Sequence, residues 1–346
     1  MIGILGAFGA TGSEVIRLLY QAGERTLRAG GRNPQPTSRA QSCFVDVSDA
    51  HSLMGFARGC RLIINCAAPS VRLSQQVANL LCAAGIPLVD AGGIDCPAQL
   101  SYPAGKPASS AIFAAGALPG LSGILPVWLG ADMDKVTRLQ CWFGIFDRFT
   151  PSGAEDYLDG VLRASAPVPP PPRRQSNVTL PFFPRPVQLQ PYDDEESRFV
   201  QMRTGVTQSR CYLALDGEHL ARALDTARTR PRAEAINRLV QASALDVAGR
   251  QPRVNFLIQA DGVSKGNNIT RTLLLKAPGI SRLTAACAAT SARWLLQHPE
   301  PVVGLAAACI DSTTFMPLFT GEQTGIDIER FDCGIEQLSE MRGGVL

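Results

Sequence analysis

The chain has 346 residues, 45% of them hydrophobic and 18% charged, with 33 basic against 30 acidic side chains. That composition buries a large core and excludes a disordered chain, and the length allows two domains. A formal charge of +3, with no basic block and no interleaved aromatics, excludes a nucleic-acid surface.

No apolar run free of charge, Pro or Gly is long enough to span a membrane, and the apolar N-terminus lacks the basic residues that precede a signal peptide core. Ten cysteines are spread from Cys43 to Cys333 without a C-x-x-C pair, and the histidines, His51, His219 and His298, lie far apart. Neither pattern builds a metal site or a Ser/His/Asp or Cys/His catalytic set. The cysteines read as reduced, mostly buried side chains of a cytoplasmic protein.

In chain order, "IGIL" (2–5) opens as a buried strand, "GAFGATG" (6–12) follows, and "SEVIRLLYQAG" (13–23) has helical spacing. Val15, Leu18, Leu19 and Ala22 share one face, and Gly23 is the stop. A glycine corner between a first strand and a first helix is where dinucleotide-binding folds place a pyrophosphate. Gly6 permits the turn, Gly9 lets backbone approach the phosphates, Gly12 lets helix and strand pack closely, and the helix N-terminus supplies N–H groups. Phe8, Ala10 and Thr11 complete this cofactor-facing loop. The spacing is G-x-x-G-x-x-G, so its place between strand and helix carries the reading.

The second strand, "RTLRA" (25–29), runs into "GGRNP". An NAD site carries an acid there for the ribose 2′-hydroxyl. None is present; Gly30 and Gly31 leave room, and Arg32, with Asn33 beside it, offers a guanidinium fork suited to a 2′-phosphate. The expected cofactor is NADP, against the alternative of a surface arginine in the turn before Pro34. "SCFVDV" (42–47) is a third strand with Asp46 at its end, near an adenine, and "RLIINCA" (61–67) a fourth ending at Asn65. Cys66 and Ala67 are small enough to let backbone run along the cofactor. Each is also an ordinary turn signal, yet all fall at the carboxyl ends of strands, where open α/β sheets bind ligands.

"VRLSQQVANLLCAAG" (71–85) is helical, with Leu73, Val77, Leu80, Leu81 and Ala84 on one face; strands "IPLVDAG" (86–92) and "AIFAAG" (111–116) follow. Strand and helix in alternation imply a parallel sheet with right-handed crossovers. "YPAGK" (102–106) matches the Tyr-x-x-x-Lys pair of short-chain epimerases, but Pro103, Gly105 and Pro107 forbid the helical turn that would align Tyr102 and Lys106.

Beyond about residue 125 the pattern changes. "VTRLQCWFGIF" (136–146) is a long strand, "SGAEDYLDGVLR" (152–163) a helix opened by a Ser152/Glu155 capping box, and "APVPPPPRRQ" (166–175) a stiff surface loop. Strands are expected at 198–204, 210–215, 252–261 and 269–276, with helix between 218 and 247 and a further helix at 282–297. The expected class is α/β: a Rossmann-type doubly wound parallel sheet over 1–125, a second α+β domain with a mainly antiparallel sheet over 126–280, and a helix and tail over 281–346 that return to the first domain.

The segments "GAFGATG", "GGRNP", "NCAAPS", "VDAGG" (89–93) and "GALPGLSG" (116–123) together resemble the saccharopine dehydrogenase-like reductases. The likeness covers the first 125 residues, and "DGVSKGNN" with "LTAACAATSARWLL" resembles the family's return to the first domain; 147–250 match no family segment. The resemblance implies NADPH-dependent hydride transfer to an imine or carbonyl group of a small or carrier-bound metabolite, secondary metabolism being one setting. It carries cofactor roles onto Gly6, Gly9, Gly12, Arg32, Asp46, Asn65, Gly92, Gly93, Pro119, Gly120, Leu121 and Ser122, the last four opening a helix near the nicotinamide.

Hydride transfer wants a proton donor. "FDRFTPSGAEDYL" offers Asp147, Arg148, Asp156 and Tyr157 as catalytic candidates. Their structural alternatives are a strand-end ion pair, a charge at a helix N-terminus and a core aromatic. Lys265 reads as a hairpin tip and His219 as a surface residue. Because no acid–base residue stands out, a non-catalytic NADP-binding sensor or assembly protein stays open as the alternative, as does a homodimer.

Overall fold

The computed structural model describes residues 1–97, 100, 109–163, 174–320 and 325–343. In chain order its elements are β1 (Ile2–Leu5), α1 (Ala10–Gln21), β2 (Leu27–Gly31), β3 (Gln41–Phe44), α2 (Ala50–Ala57), β4 (Leu62–Asn65), α3 (Ser70–Ala83), β5 (Leu88–Asp90), β6 (Ala111–Phe113), α4 (Leu121–Leu129), β7 (Lys135–Phe146) and α5 (Pro151–Arg163). There follow β8 (Gln175–Val178), β9 (Val187–Pro191), α6 (Glu195–Thr204), β10 (Gln208–Leu215), α7 (Glu218–Ala227), α8 (Arg232–Val247), β11 (Arg253–Ser264), β12 (Asn267–Ala277), α9 (Ile280–Gln297), β13 (Val303–Leu305), α10 (Ala306–Cys309), α11 (Ser312–Phe319), β14 (Asp327–Phe331) and α12 (Ile335–Gly343). They form two compact units, Met1–Ile124 with Ser281–Gly325, and Leu125–Ile280 with Ile326–Leu346.

The first unit is a parallel sheet in the order β13-β6-β5-β4-β1-β2-β3. The chain starts at the centre, winds out to β3, then crosses back to β4, so the strand order reverses between β1 and β4. Ile2, Ile4, Leu5 and Leu62 to Ile64 are fully buried, the continuous apolar runs of strands covered on both faces. Leu53 and Phe56 of α2, with Val77, Ala78 and Leu81 of α3, close over Leu5, Ile63, Leu88 and Phe113. Each buried Val, Leu, Ile or Phe among these contributes about 1.5–3 kcal/mol.

α3 is rotated from its expected face. It buries Ser74, Val77, Ala78, Leu81 and Cys82, while Ala84 is exposed. The polar Ser74 turns inward because its hydroxyl donates to Asp90 at 3.0 Å.

The second unit is a mixed, mostly antiparallel sheet in the order β14-β12-β11-β7-β10-β9-β8, in which only the β7–β10 pair is parallel. Trp142, Tyr212, Leu257 and Leu274 build one core, and helices α5, α7 and α8 build another around Leu158, Leu224 and Leu239. Lys265 sits at the β11–β12 turn with φ +51°, and His219 is exposed at the start of α7.

Three expectations are corrected here. Residues 198–204 are helical, not extended: Asp194 caps α6 by accepting from Ser197 N at 2.8 Å, and left-handed Gly205 ends it. The cap of α5 is Thr150, whose hydroxyl accepts from Gly153 N at 3.0 Å, with Pro151 as the first helical residue; Glu155 instead pairs with Arg232 at 3.1 Å. The return to the first unit stops at Gly325, because β14 pairs with β12 and Phe331 stacks on Phe182 with ring centroids 5.6 Å apart.

Tyr102, Lys106 and all of the polyproline stretch before Arg174 lie outside the described residues. None of the ten cysteines is in a disulfide. Among the described residues no helix is long and apolar enough to cross a membrane.

Candidate functional site

Gly6 leaves β1 with φ +66°, and a Cβ there would lie 2.6 Å from the Cys66 carbonyl oxygen. Only glycine allows both the left-handed backbone and this contact. Gly6 therefore sits against the Asn65–Ala67 loop, at the point where the strand order reverses. A Cβ on Gly12 would lie 2.3 Å from the Gly6 carbonyl oxygen, so α1 packs its backbone directly onto the corner. Gly9 is the N-cap residue; no side chain caps the helix and no acid stands in its first turn. The N–H groups ahead of the first helical bond, Ser13 N to Gly9 O at 3.0 Å, are thus open to an anion. Phe8 and Thr11 are half-buried and Ala10 is exposed on this rim.

Arg32 and Asn33 follow β2 and are exposed. The expected room at Gly30 and Gly31 is filled by protein. A Cβ on Gly30 would lie 2.5 Å from the Phe56 ring, and one on Gly31 would lie 2.8 Å from Phe8. These glycines admit two aromatic side chains, leaving Arg32 as the polar group the turn presents outward. Asp46 lies just past β3. Its carboxylate accepts from the Ser48 hydroxyl at 2.7 Å and from Ser48 N at 2.9 Å. These bonds, with the nearby Arg32 charge, hold its carboxyl below the usual range.

β4 ends at Asn65, as expected, but the residue that organises this end was missed. Asp90, the last residue of β5, is 1% exposed. It accepts from Asn65 Nδ2 at 2.7 Å, Ser74 Oγ at 3.0 Å and Gly92 N at 2.9 Å. Asn65 Oδ1 in turn accepts from Ala67 N at 3.1 Å. Burial, with Asp90 nearby, pushes the Cys66 thiol up to about 12. An acid closing the buried run "IPLVD" was the available signal. Gly92 lies against Ser70, and Gly93 has φ +66°.

After β6 the "GALPGLSG" segment folds back on itself. A Cβ on Gly120 would lie 2.2 Å from the Gly116 carbonyl oxygen, and one on Gly116 would lie 2.6 Å from the Ala91 carbonyl oxygen. Leu121 N donates to Gly116 O at 3.0 Å and Ser122 N to Ala117 O at 3.2 Å, so the first N–H groups of α4 are satisfied locally. Leu121 and Ser122 are buried, and Pro119 is half-buried on this rim. All the nominated cofactor residues thus follow the carboxyl ends of β1 to β6, on one edge of one parallel sheet.

The nominated catalytic residues lie in the second unit. Asp147 accepts from Ile280 N, the first N–H of α9, at 2.9 Å, and from Arg148 N at 2.7 Å. It works as a helix cap. Arg148 is exposed. Tyr157 packs on Phe149 with centroids 5.8 Å apart and accepts from Gln190 Nε2 at 3.3 Å; burial pushes its phenol up to about 12. Asp156 is half-buried on α5. A cavity lined by Asp147, Asp216, Ser243 and Asp246 has room for about one water, too little for a metabolite. Among the described residues no cluster of His, Cys, Asp and Glu could hold a metal.

No family model matches the chain, and no curated protein does. Among solved structures, apo saccharopine dehydrogenase (L-Glu forming) from Saccharomyces cerevisiae is similar, with 13% identity over 96% of this chain and 99% of that one and a TM-score of 0.61. The fold is that of saccharopine dehydrogenase. The match covers both units, including residues 147–250, for which the sequence offered no family likeness. C. glutamicum DAP dehydrogenase in complex with DAP is 14% identical over 93% of this chain and 95% of that one, with a TM-score of 0.47. An engineered D-amino acid dehydrogenase bound to NADP⁺ is 14% identical over 93% and 96%, with a TM-score of 0.48.

Proposed function

We propose that the protein is an NADPH-dependent oxidoreductase that reduces an imine or carbonyl group of a small or carrier-bound metabolite. The observation that carries this reading is the uncapped start of α1, held against the Asn65–Ala67 loop by Gly6 and Gly12, with Arg32 rather than an acid after β2. The donor set fits the group. Gly6 and Gly12 form a cradle that a Cβ would fill, the α1 N–H groups suit a pyrophosphate, and Arg32 suits a 2′-phosphate. The likeness to a dehydrogenase fold supports the same chemistry.

In this reading α1 binds the pyrophosphate through backbone N–H groups. Arg32 holds the 2′-phosphate, Asp46 faces the adenosine end, and Cys66 and Ala67 line the path between. Residues Pro119 to Ser122 border the nicotinamide end. The bound cofactor supplies the hydride. The protein's part is to orient it and to exclude alternatives to NADPH.

A second reading is favoured by one observation: Asp147 and Tyr157 already serve a helix end and a packed core. The fold would then bind NADP as a sensor or assembly protein. Following the reduced-nicotinamide absorbance with a panel of amine–carbonyl pairs and free carbonyl compounds separates the two. Acceptor-dependent consumption supports the oxidoreductase. NADPH binding with no consumption across the panel supports the second reading.

A further inference from the structure

The buried acid at the end of β5 has a position that the proposed function does not use. Asp90 joins three elements through one carboxylate. Oδ2 accepts from Asn65 at the end of β4, and Oδ1 accepts from Ser74 of α3 and from the backbone of Gly92 beyond β5. Asn65, Ser74 and Asp90 are each no more than 1% exposed. Asn65 passes the restraint on, because its Oδ1 accepts from Ala67 N, while the backbone of Cys66 and Ala67 is what the corner glycine touches. A Cβ on Gly6 would lie 2.6 Å from Cys66 O, 2.7 Å from Cys66 C and 2.8 Å from Ala67 N. The line Asp90, Asn65, Ala67, Gly6 is continuous.

We infer that Asp90 is a positioning residue for cofactor binding: through Asn65 it fixes the wall against which the glycine corner rests, and through Gly92 it fixes the next loop along the same edge. Asp90 does not touch the cofactor in this account. Its carboxylate sets the direction of the Asn65 carboxamide, NH₂ toward Asp90 and carbonyl toward Ala67 N. With the amide turned round, Ala67 N would face an NH₂ group and the loop would have to move away from Gly6. A buried hydrogen bond between a carboxylate and an amide holds that choice more firmly than a neutral pair would.

The inference rests on the cofactor reading above, and a swap of the two side chains tests it. Asp90→Asn alone sets two carboxamide NH₂ groups face to face, or forces one of them to turn. Asn65→Asp alone sets two carboxylates face to face in a dry site. In the double variant N65D/D90N, the carboxylate at 65 accepts from Ala67 N and from the carboxamide at 90. The carbonyl at 90 still accepts from Ser74 Oγ and Gly92 N. NADPH titration of wild type, both single variants and the double variant is the measurement, made on protein whose far-UV spectrum and tryptophan emission match wild type. Each single variant is expected to raise the dissociation constant at least about tenfold, and the double variant to return it to within about threefold of wild type.

A folded D90N with wild-type affinity overturns the role of Asp90. So does a folded double variant that binds as weakly as the singles. Should D90N fail to fold, the double variant alone decides: wild-type affinity supports positioning, and a folded, weakly binding protein overturns it. Wild-type protein that binds no nicotinamide cofactor is a different result, and it overturns the proposed function instead.

Discussion

Gly12→Ala is expected to destroy cofactor binding and to destabilise the first unit by about 2–4 kcal/mol. The added Cβ would lie 2.3 Å from the Gly6 carbonyl oxygen, 2.7 Å from Ala7 Cα and 2.8 Å from the Gly6 carbonyl carbon. All three are backbone atoms, so no rotamer change relieves the clash. α1 must lift off β1, and the N–H groups at its start then no longer converge with the corner. Gly55 is the matched control. It lies exposed in α2, with nothing within 4 Å of an added Cβ and no positive φ. Gly55→Ala should stabilise the protein by up to about 1 kcal/mol through helix propensity alone. Denaturant midpoints for the two variants should move in opposite directions. A Gly12→Ala protein as stable as wild type would mean that α1 does not rest on the corner as described.

Arg32→Ala is expected to raise the NADPH dissociation constant roughly thirty- to hundredfold and to leave NADH binding nearly unchanged. Arg32 is exposed, and the charge it stands near is Asp46. Removing the guanidinium takes away a fork for the 2′-phosphate and leaves the Asp46 carboxylate unopposed near it, so both changes act against NADPH. The variant does not gain NADH affinity, because no acid replaces the arginine for the ribose hydroxyl. Screening makes the loss smaller as salt rises. Fluorescence titration of both cofactors at two ionic strengths checks this. Equal weakening of NADH would make Arg32 a residue of the turn and nothing more.

The sequence made the first unit readable because its signals are local. A glycine corner between strand and helix, and apolar runs at regular spacing, follow from backbone and burial rules that need no partner. The parallel order and the placement of Gly6, Arg32, Asn65 and Gly92 at strand ends were expected on that basis. What was missed depends on partners distant in sequence. Asp90 is an ordinary strand-end acid until Asn65 and Ser74, 25 and 16 residues away, donate to it. The buried face of α3 departs from the apolar spacing for the same reason, since Ser74 is buried by a hydrogen bond and not by hydrophobicity.

In the second unit, residues 198–204 carry Phe199 and Val200 in a stretch that reads as extended. The capping by Asp194 and Gly205 outweighs that signal. Asp147 reads in sequence as a proton-donor candidate within "FDRFTPSGAEDYL". It serves α9, which begins 133 residues later. Gly30 and Gly31 read in sequence as space for a ligand, yet Phe56 and Phe8 occupy that space. A glycine reports a close approach, and only the fold says by what.

A nicotinamide dinucleotide held by the first unit, with its 2′-phosphate selected, is the property on which every proposed role depends. Titration of the wild-type protein with NADPH and NADH, under the same buffer and salt, tests that most directly. The expected result is saturable binding of NADPH at least about tenfold tighter than NADH, the scale of one or more charge-assisted bonds to the phosphate. Binding of neither cofactor, or equal affinity for both, would contradict it.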